Sequence, residues 1–254
     1  MTTTTRAAEH CTGGSAGASV TSTGTNKTRT SRAVSPSGDF MDIAATDHLL
    51  STTRAVRRRL DLERPVEREV ILECLRLAVQ APTGGNKQAW RWLVVDDPAV
   101  RADVADLYAH RTLETIDRQY PRIRDPQTRR VYDSARYLAT VMARVPVLIV
   151  PCVRGRLDGP GAANAAAFYG SIFPAIWSLQ LALRSRRMGS VLTTPFVGED
   201  ERRYTEILGL PDTMTPIALL PVAYTIGDEF RPAERPPIET ITRWNRWTDE
   251  EGRP

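Results

Sequence analysis

Apolar residues recur every three or four positions in several long stretches of the chain, and this spacing predicts helices with one buried face. One such stretch is Glu67–Gln80, and a longer, more apolar one is Asn164–Arg187. Gly189 is expected to end the second helix, because glycine readily adopts the left-handed conformation at a helix C-terminus. Val100–Val145 is mostly helical in pattern, with a break near Tyr120-Pro121. Helices are therefore expected to form much of the fold.

Shorter apolar runs between these stretches predict strands. Trp90–Val95 is one, and Pro146–Cys152 is a continuous apolar run that suits a strand buried on both faces. A short strand with a loop is expected at Ser190–Phe196, and a last strand at Pro216–Gly227. Strands thus alternate with helices, so periodicity alone predicts either an α/β or an α+β fold.

The N-terminal segment differs in composition from the rest. Residues 1–40 are rich in Thr, Ser, Gly and Ala and almost free of large apolar side chains, so they are expected to form a disordered tail. They lack the apolar core of a secretory signal, and translation starting at Met41 is one interpretation. We expect a single domain over residues 41–254, with an arm at about 236–254 that carries Trp244 and Trp247.

Composition excludes several classes of function. The chain is 41% hydrophobic and 25% charged, which is ordinary for a globular protein, and its net charge of +4 is spread along the sequence. Neither nucleic-acid binding nor a membrane span is therefore expected. The three histidines are far apart and the three cysteines show no metal-binding spacing, so we expect no metal site. The cysteines also lack the pattern of a disulfide framework, and Cys74 fits a helix core, so we expect a reducing, cytoplasmic location.

The first chemically informative stretch is Ala81–Trp90, where a helix pattern stops and a strand pattern begins. Pro82 ends the helix, and Gly84 and Gly85 allow a sharp turn with close approach of the backbone to a ligand. Short polar side chains accompany the turn, namely Thr83, Asn86 and Gln88. The loop could offer N–H groups to a flat heteroaromatic ring, or it could be an ordinary helix-to-strand connection.

The second informative stretch is basic: it contains Arg54, Arg57, Arg58 and Arg59. Such a run is often a solvated face. The alternative is phosphate binding, because the planar guanidinium pairs with two phosphate oxygens at once.

The order of these motifs resembles the nitroreductase family of FMN-dependent oxidoreductases. That family opens with Arg-Ser-x-Arg, followed by Pro-Val, a helix and Ala-Pro-Ser-x-x-Asn-x-Gln-Pro-Trp. Here Ala55 and Thr83 replace the two serines, and Ala89 replaces the last proline. The resemblance runs from about Thr52 to about Trp247. It implies an α+β fold with a central mixed β-sheet flanked by helices, in a homodimer with FMN at the interface.

The resemblance also implies a site. The implied cofactor contacts are Arg54, Ala55, Arg57, Pro82, Thr83, Gly84, Asn86, Gln88, Leu192, Thr193, Thr194 and Arg235. Arg54, Arg57 and Arg235 would reach the FMN phosphate, and Arg57 is also the candidate that stabilises reduced flavin. Arg58 and Arg59 would lie at the surface or at the dimer interface. No side chain is expected to act as a catalytic acid or base.

The implied reaction is hydride transfer from NADH or NADPH to FMN, and onward to a nitroaromatic, quinone or metabolite acceptor. Two alternatives stay open. One is other flavin chemistry on the same fold, such as flavin destruction, reductive dehalogenation or azoline and peptide oxidation. The other is a flavin-binding protein without activity, which the departures at Ala55 and Ala89 permit. Residues 100–145 would shape the substrate pocket.

Overall fold

The computed structural model describes residues 41–157, 162–196 and 200–247, with the backbone alone for 162–164. The predicted tail of residues 1–40 and the end of the predicted arm, residues 248–254, lie outside the described residues. The division into tail and domain therefore stays a prediction.

The helices are α1 (Ile43–Thr52), α2 (Arg68–Ala78), α3 (Pro98–Gln119), α4 (Pro126–Val141), α5 (Ala162–Ser185) and α6 (Asp200–Ile207). The strands are β1 (Trp90–Val95), β2 (Val147–Arg154), β3 (Met188–Ser190), β4 (Met214–Pro216) and β5 (Leu220–Tyr224). These elements confirm the expected helices and the first two strands. The strand expected at Ser190–Phe196 lies earlier in the chain, at Met188–Ser190, and the one expected at Pro216–Gly227 is replaced by the two short strands β4 and β5. The predicted break in the central helical region is also present, as a short 3-10 turn at Tyr120–Arg122.

Aspartate-proline pairs start the two helices between β1 and β2. Asp97 Oδ1 accepts from the amides of Ala99 (2.9 Å) and Val100 (3.0 Å), and Pro98 occupies the first turn. Asp125 and Pro126 play the same parts in α4. The aspartate satisfies free N–H groups of the first turn, and proline loses nothing there because its missing N–H would be unpaired anyway.

The strand order in the sheet is β1-β2-β5-β3, and β4 also pairs with β2. All pairs among the described residues are antiparallel, so the predicted mixed sheet is not what this part of the chain forms. The reason is visible between β1 and β2. Arg101 near the start of α3 donates to the Ala143 carbonyl beyond the end of α4 (3.1 Å), so these helices run out and back. The two helices return the chain to the end of the sheet at which β1 ends. Strand β2 therefore starts beside the end of β1, and Val95 pairs with Leu148.

Each face of the sheet carries its own core. Alternate residues of β2 point to opposite faces, as strand geometry requires: Leu148 and Val150 join the cluster under α3, α4 and α6, whereas Ile149 joins the cluster under α2 and α5. Cys74 is fully buried in the second cluster, which confirms it as a core residue. Burial raises the pKa of Cys152 to about 12, so this thiol stays protonated and unreactive at neutral pH.

Helix α5 lies at the centre of the molecule. Its segment Ala165–Ser185 is long and apolar enough to cross a membrane by length and composition, contrary to the expectation that no run approaches that length. Its residues Ile172, Ile176 and Leu179, however, are completely buried beneath the sheet. The core helix of a globular fold has the same composition for this reason.

Gly189 does not end α5. The left-handed residue after the helix is Arg187 (φ 61°), and Gly189 lies in β3. A Cβ atom there would come within 2.8 Å of the Thr225 side chain and 2.9 Å of Val56, so only glycine fits.

Gly189→Ala is therefore expected to destabilise the protein by about 1–3 kcal/mol, the usual cost of overpacking a core. Thermal or urea unfolding would measure the loss. An unchanged melting temperature would mean that the segment carrying Val56 moves aside freely.

Candidate functional site

The arginine-rich stretch is held against the sheet by its two apolar residues. The Val56 amide donates to the Ser190 carbonyl at the end of β3 (2.9 Å), and Leu60 forms a bridge with Thr225 beyond β5. Both anchors are buried, at 5% and 2% exposure. The segment Arg54–Arg59 consequently runs beside the edge strand β3, with most of its polar side chains outside the core.

Two adjoining cavities lie along this segment, and we call them together the arginine site. The first, of about 440 Å³, is lined by Arg54, Ala55, Val56, Arg57, Arg58, Arg59, Ser134, Glu229, Phe230 and Arg231. The second, of about 360 Å³, is lined by Arg54, Ala55, Arg57, Gln127, Arg130, Val131, Ser134, Pro232, Ala233 and Glu234. The predicted residues Arg54, Ala55 and Arg57 are thus brought together.

Arg54 and Arg57 are held differently. Arg54 Nη1 donates to the Arg231 carbonyl (2.7 Å). Arg57 Nη1 reaches Ser134 Oγ on α4 (3.4 Å), but its Nε is buried and has no hydrogen-bond partner among the described residues. Burial lowers the pKa of Arg57. A buried donor left unpaired is unfavourable, so a ligand oxygen at this place would stabilise the arrangement.

The guanidinium groups of Arg58 and Arg59 are held by contacts with other residues of the same chain. The guanidinium of Arg58 lies over the Tyr137 ring, 5.2 Å from its centre. Arg59 uses Nε and Nη1 to donate to the carbonyls of Ile226 (2.8 Å) and Glu229 (2.6 Å). Both line the first cavity, and Arg59 ties the β5 end of the chain to the arginine segment.

The loop between α2 and β1 has the sharp turn that its glycines predict. Gly85, Asn86 and Gln88 all have left-handed backbone conformations, with φ of 60°, 52° and 46°. The Gly84 amide donates to Ser171 Oγ on α5 (3.0 Å), which fixes the loop to that helix. Four amides of the loop donate within the protein: those of Asn86 and Lys87 to the carbonyls of Thr83 and Gly84, that of Gln88 to Thr83 Oγ1, and that of Gly84 to Ser171 Oγ.

A third cavity, of about 700 Å³, opens beside this loop, and we call it the loop cavity. It is lined by Thr83, Gly84, Gly85, Lys87, Ala89, Trp90, Val153, Arg154, Gly155, Arg156, Leu157, Ala167, Phe168, Ser171 and Ile172. Of the predicted loop residues, Thr83 and Gly84 line it. Pro82, Asn86 and Gln88 are exposed and do not.

The arginine site lies near the C-terminal end of α5, whereas the loop cavity lies beside the first half of that helix. The loop is bound at Ser171. At the other end, Arg184 of α5 and Arg59 of the arginine segment both lie over the Phe230 ring, at 4.7 Å and 4.2 Å. The helical stretch between Ser171 and Arg184 spans about 20 Å, at about 1.5 Å per residue. The two cavities also share no lining residue.

Residues 50–224 match the family model described as the nitroreductase family. This segment covers well over half of the chain and contains the arginine segment, the loop and strands β1–β5. The chain belongs to the nitroreductase family. The predicted family and the predicted enzyme class, an oxidoreductase, are thereby confirmed.

Curated relatives of this family align along most of their length. A protein named NADH dehydrogenase from Thermus thermophilus is 28% identical over 218 residues, covering 79% of this chain and 98% of its own. A protein named iodotyrosine deiodinase from Thermotoga neapolitana is 27% identical over 198 residues, covering 77% and 96%. The two names describe different reactions, so the family match by itself leaves the electron acceptor open.

Solved structures confirm the nitroreductase-like α+β fold. An iodotyrosine deiodinase bound to FMN and 3-iodo-L-tyrosine superposes with a TM-score of 0.59 at 23% identity, over 79% of this chain and 98% of that one. A BluB-like flavoprotein from Clostridium difficile superposes with a TM-score of 0.58 at 18% identity, over 80% and 99%.

The remaining nitroreductase-type contacts predicted from the sequence lie on the arginine side of the molecule. Leu192, Thr193 and Thr194 follow Ser190, which is bonded to the arginine segment. Thr193 exchanges backbone hydrogen bonds with Leu219 (3.0 and 2.9 Å), which leaves Thr194 exposed. None of the three lines the arginine site.

Arg235 is exposed, and its Nη1 donates to the Glu234 carbonyl (3.1 Å). Glu234 lines the arginine site but Arg235 does not, so its role at a phosphate stays a prediction.

Sequence reasoning missed Arg130 and Ser134, which line the arginine site from α4. They are four residues apart, and Gln127 and Val131 repeat the same spacing, so all four belong to one side of the helix. A stripe of this kind was readable, but nothing in the sequence placed α4 over the arginine segment. Arg231, whose carbonyl accepts from Arg54, is another lining residue that sequence reasoning missed.

Proposed function

We propose that the protein is an FMN-dependent oxidoreductase that takes electrons from NADH or NADPH and passes them to a nitroaromatic, quinone or metabolite acceptor in the cytoplasm. The observation that carries this proposal is the arginine site. Its arginines form no ion pair among the described residues, and Arg57 keeps a buried donor without a partner.

The residues present fit FMN. A phosphate monoester carries about two negative charges and three acceptor oxygens. The planar guanidinium groups of Arg54 and Arg57 can donate paired hydrogen bonds to these oxygens. The free Nε of Arg57 needs an acceptor oxygen. The departures from the family pattern do not remove these groups, since Ala55 lines the arginine site and Thr83 keeps a hydroxyl, which accepts from the Gln88 amide (3.3 Å).

When bound, FMN would supply the redox chemistry, accepting a hydride from the nicotinamide and passing two electrons onward. The chain's own part is binding and electrostatics. The positive charge of Arg57 beside the cofactor would also favour the reduced form electrostatically, because reduction adds negative charge. The loop would contact the ring through the two predicted residues that line its cavity, Thr83 and Gly84. No side chain has to act as an acid or base in this scheme.

The separation of the two sites supports a dimer. One FMN could contact the arginine site and the loop together only if the loop comes from a partner subunit. Helix α5 offers a surface for that partner, because Tyr169, Phe173 and Trp177 are 39%, 36% and 42% exposed. Trp244 and Trp247 are 85% and 75% exposed at the predicted arm. Large apolar side chains gathered in this way are typical of obligate subunit interfaces.

The test is the colour of the purified protein. We expect bound FMN, bleaching of its visible band by NADH or NADPH without oxygen, and recovery on adding a quinone or a nitroaromatic. A colourless protein that does not take up FMN would contradict the proposal. A yellow protein that neither nucleotide bleaches would be a flavin-binding protein without this activity.

Reductive dehalogenation is the second candidate. It is favoured by one observation, the 27% identity to a protein named iodotyrosine deiodinase. Release of iodide from 3-iodotyrosine by the pre-reduced protein, faster than reduction of quinones, would make it the better description.

A further inference from the structure

The arginine site carries more positive charge than one FMN phosphate balances. Six arginines line its two cavities, against two glutamates. They are Arg54, Arg57, Arg58, Arg59, Arg130 and Arg231, with Glu229 and Glu234. Gathering like charges without partners is unfavourable, and functional sites are where such an arrangement persists because a ligand offsets it. After about two charges are assigned to the FMN phosphate, roughly two more remain.

Arg130 is the arginine best placed to receive a second anion. It belongs to α4 and lines the second cavity together with Gln127 and Ser134 of the same helix. It is exposed, and no hydrogen bond or ion pair engages its guanidinium in the part of the chain that the structure describes. Asp125, which precedes α4, accepts from the Thr128 amide (2.6 Å) and hydroxyl (2.7 Å), and these hydrogen bonds, together with the charge of Arg130, lower the pKa of its carboxyl.

The other arginines are less available. Arg59 donates to two backbone carbonyls and Arg54 to one, and Arg58 lies over an aromatic ring. Arg57 is the half-buried residue assigned to FMN. The exposure of Arg130 and its lack of a hydrogen-bond partner among the described residues therefore single it out for an anion other than the FMN phosphate.

We propose that Arg130 binds the 2′-phosphate of NADPH, with the Gln127 amide beside it, and that the enzyme prefers NADPH to NADH. This inference rests on the proposed function, because the nucleotide must first be the electron donor. A 2′-phosphate is a dianion that the guanidinium fork can hold through two hydrogen bonds, whereas NADH has only a hydroxyl there. A dianion also matches the residual charge better than the single carboxylate of an acidic acceptor.

A binding experiment tests the assignment without turnover. FMN-loaded protein is titrated by calorimetry with adenosine 2′,5′-bisphosphate and with AMP, which differ only in the 2′-phosphate. We expect the bisphosphate to bind about ten- to a hundredfold more tightly, the range for hydrogen bonds to a charged group. In Arg130→Gln the two affinities should become equal. Arg124→Gln, which removes an exposed arginine outside both cavities, should keep the difference.

Steady-state kinetics provide a second, independent test of the same assignment. The ratio of kcat/KM for NADPH to that for NADH should fall by the same factor in Arg130→Gln. Equal binding of the two adenosine nucleotides to the wild type would overturn the inference. So would an Arg130→Gln effect confined to the acceptor, with KM raised for 4-nitrobenzoate but not for 4-nitrobenzamide. The proposed function fails separately, if neither nucleotide bleaches the flavin.

Discussion

Replacing both Phe173 and Trp177 with glutamate is expected to give a monomer that has lost its FMN. These side chains lie on the exposed side of α5, whose opposite side is buried under the sheet, and Phe173 stacks on Tyr169 with 6.0 Å between ring centres. Two carboxylates in an apolar interface would lose their water without gaining partners, which costs several kcal/mol per charge. Because the proposed FMN site needs groups from both subunits, dimer and cofactor should be lost together.

Light scattering and the visible absorption of the protein measure the two losses. Ala102→Glu is a control with one such carboxylate, at an exposed position of α3 on the other face of the sheet. That variant should stay dimeric and yellow. A double variant that was monomeric yet fully loaded with FMN would show that one chain builds the whole site.

Arg57→Ala is expected to weaken FMN binding by about 1.5–3 kcal/mol, the range for hydrogen bonds to charged groups. It should also make the reduction potential of the remaining bound FMN more negative, because the positive charge that favours the reduced form is gone. Arg57→Lys should restore part of the wild-type reduction potential, because lysine carries the same charge. It should restore less of the FMN affinity, because lysine cannot form the paired hydrogen bonds of a guanidinium group.

Titration of the apoprotein with FMN and a redox titration measure these effects. Arg76→Ala, which removes an exposed arginine from α2, should change neither value. If Arg57→Ala kept the wild-type affinity and potential, Arg57 would be a structural residue that only packs beneath α4.

Much of the fold was predictable because local signals agreed with the tertiary structure. The Asp-Pro pairs before α3 and α4 and the continuous apolar run of β2 act within a few residues, and the chain shows them directly. The arginine segment and the Gly84-Gly85 turn were equally readable.

What failed depended on distant contacts. The end of α5 was assigned to Gly189, but that glycine is required by Val56 and Thr225, which lie far away in sequence. The mixed sheet was expected from the family, whereas the out-and-back path of α3 and α4 makes the first strand pair antiparallel. The position of Arg130 over the arginine segment depends on the packing of α4, for which no local pattern exists.

The distance between the arginine site and the loop along α5 also predicts how two different mutant alleles would behave together in one cell. In the proposed dimer, each flavin would take its arginines from one polypeptide and its loop from the other. Two alleles with different lesions, one in Arg57 and one in Gly84, could therefore rescue each other in a heterozygous cell. In a dimer of one mutant chain of each kind, one flavin site would contain both substitutions and the other site would contain none.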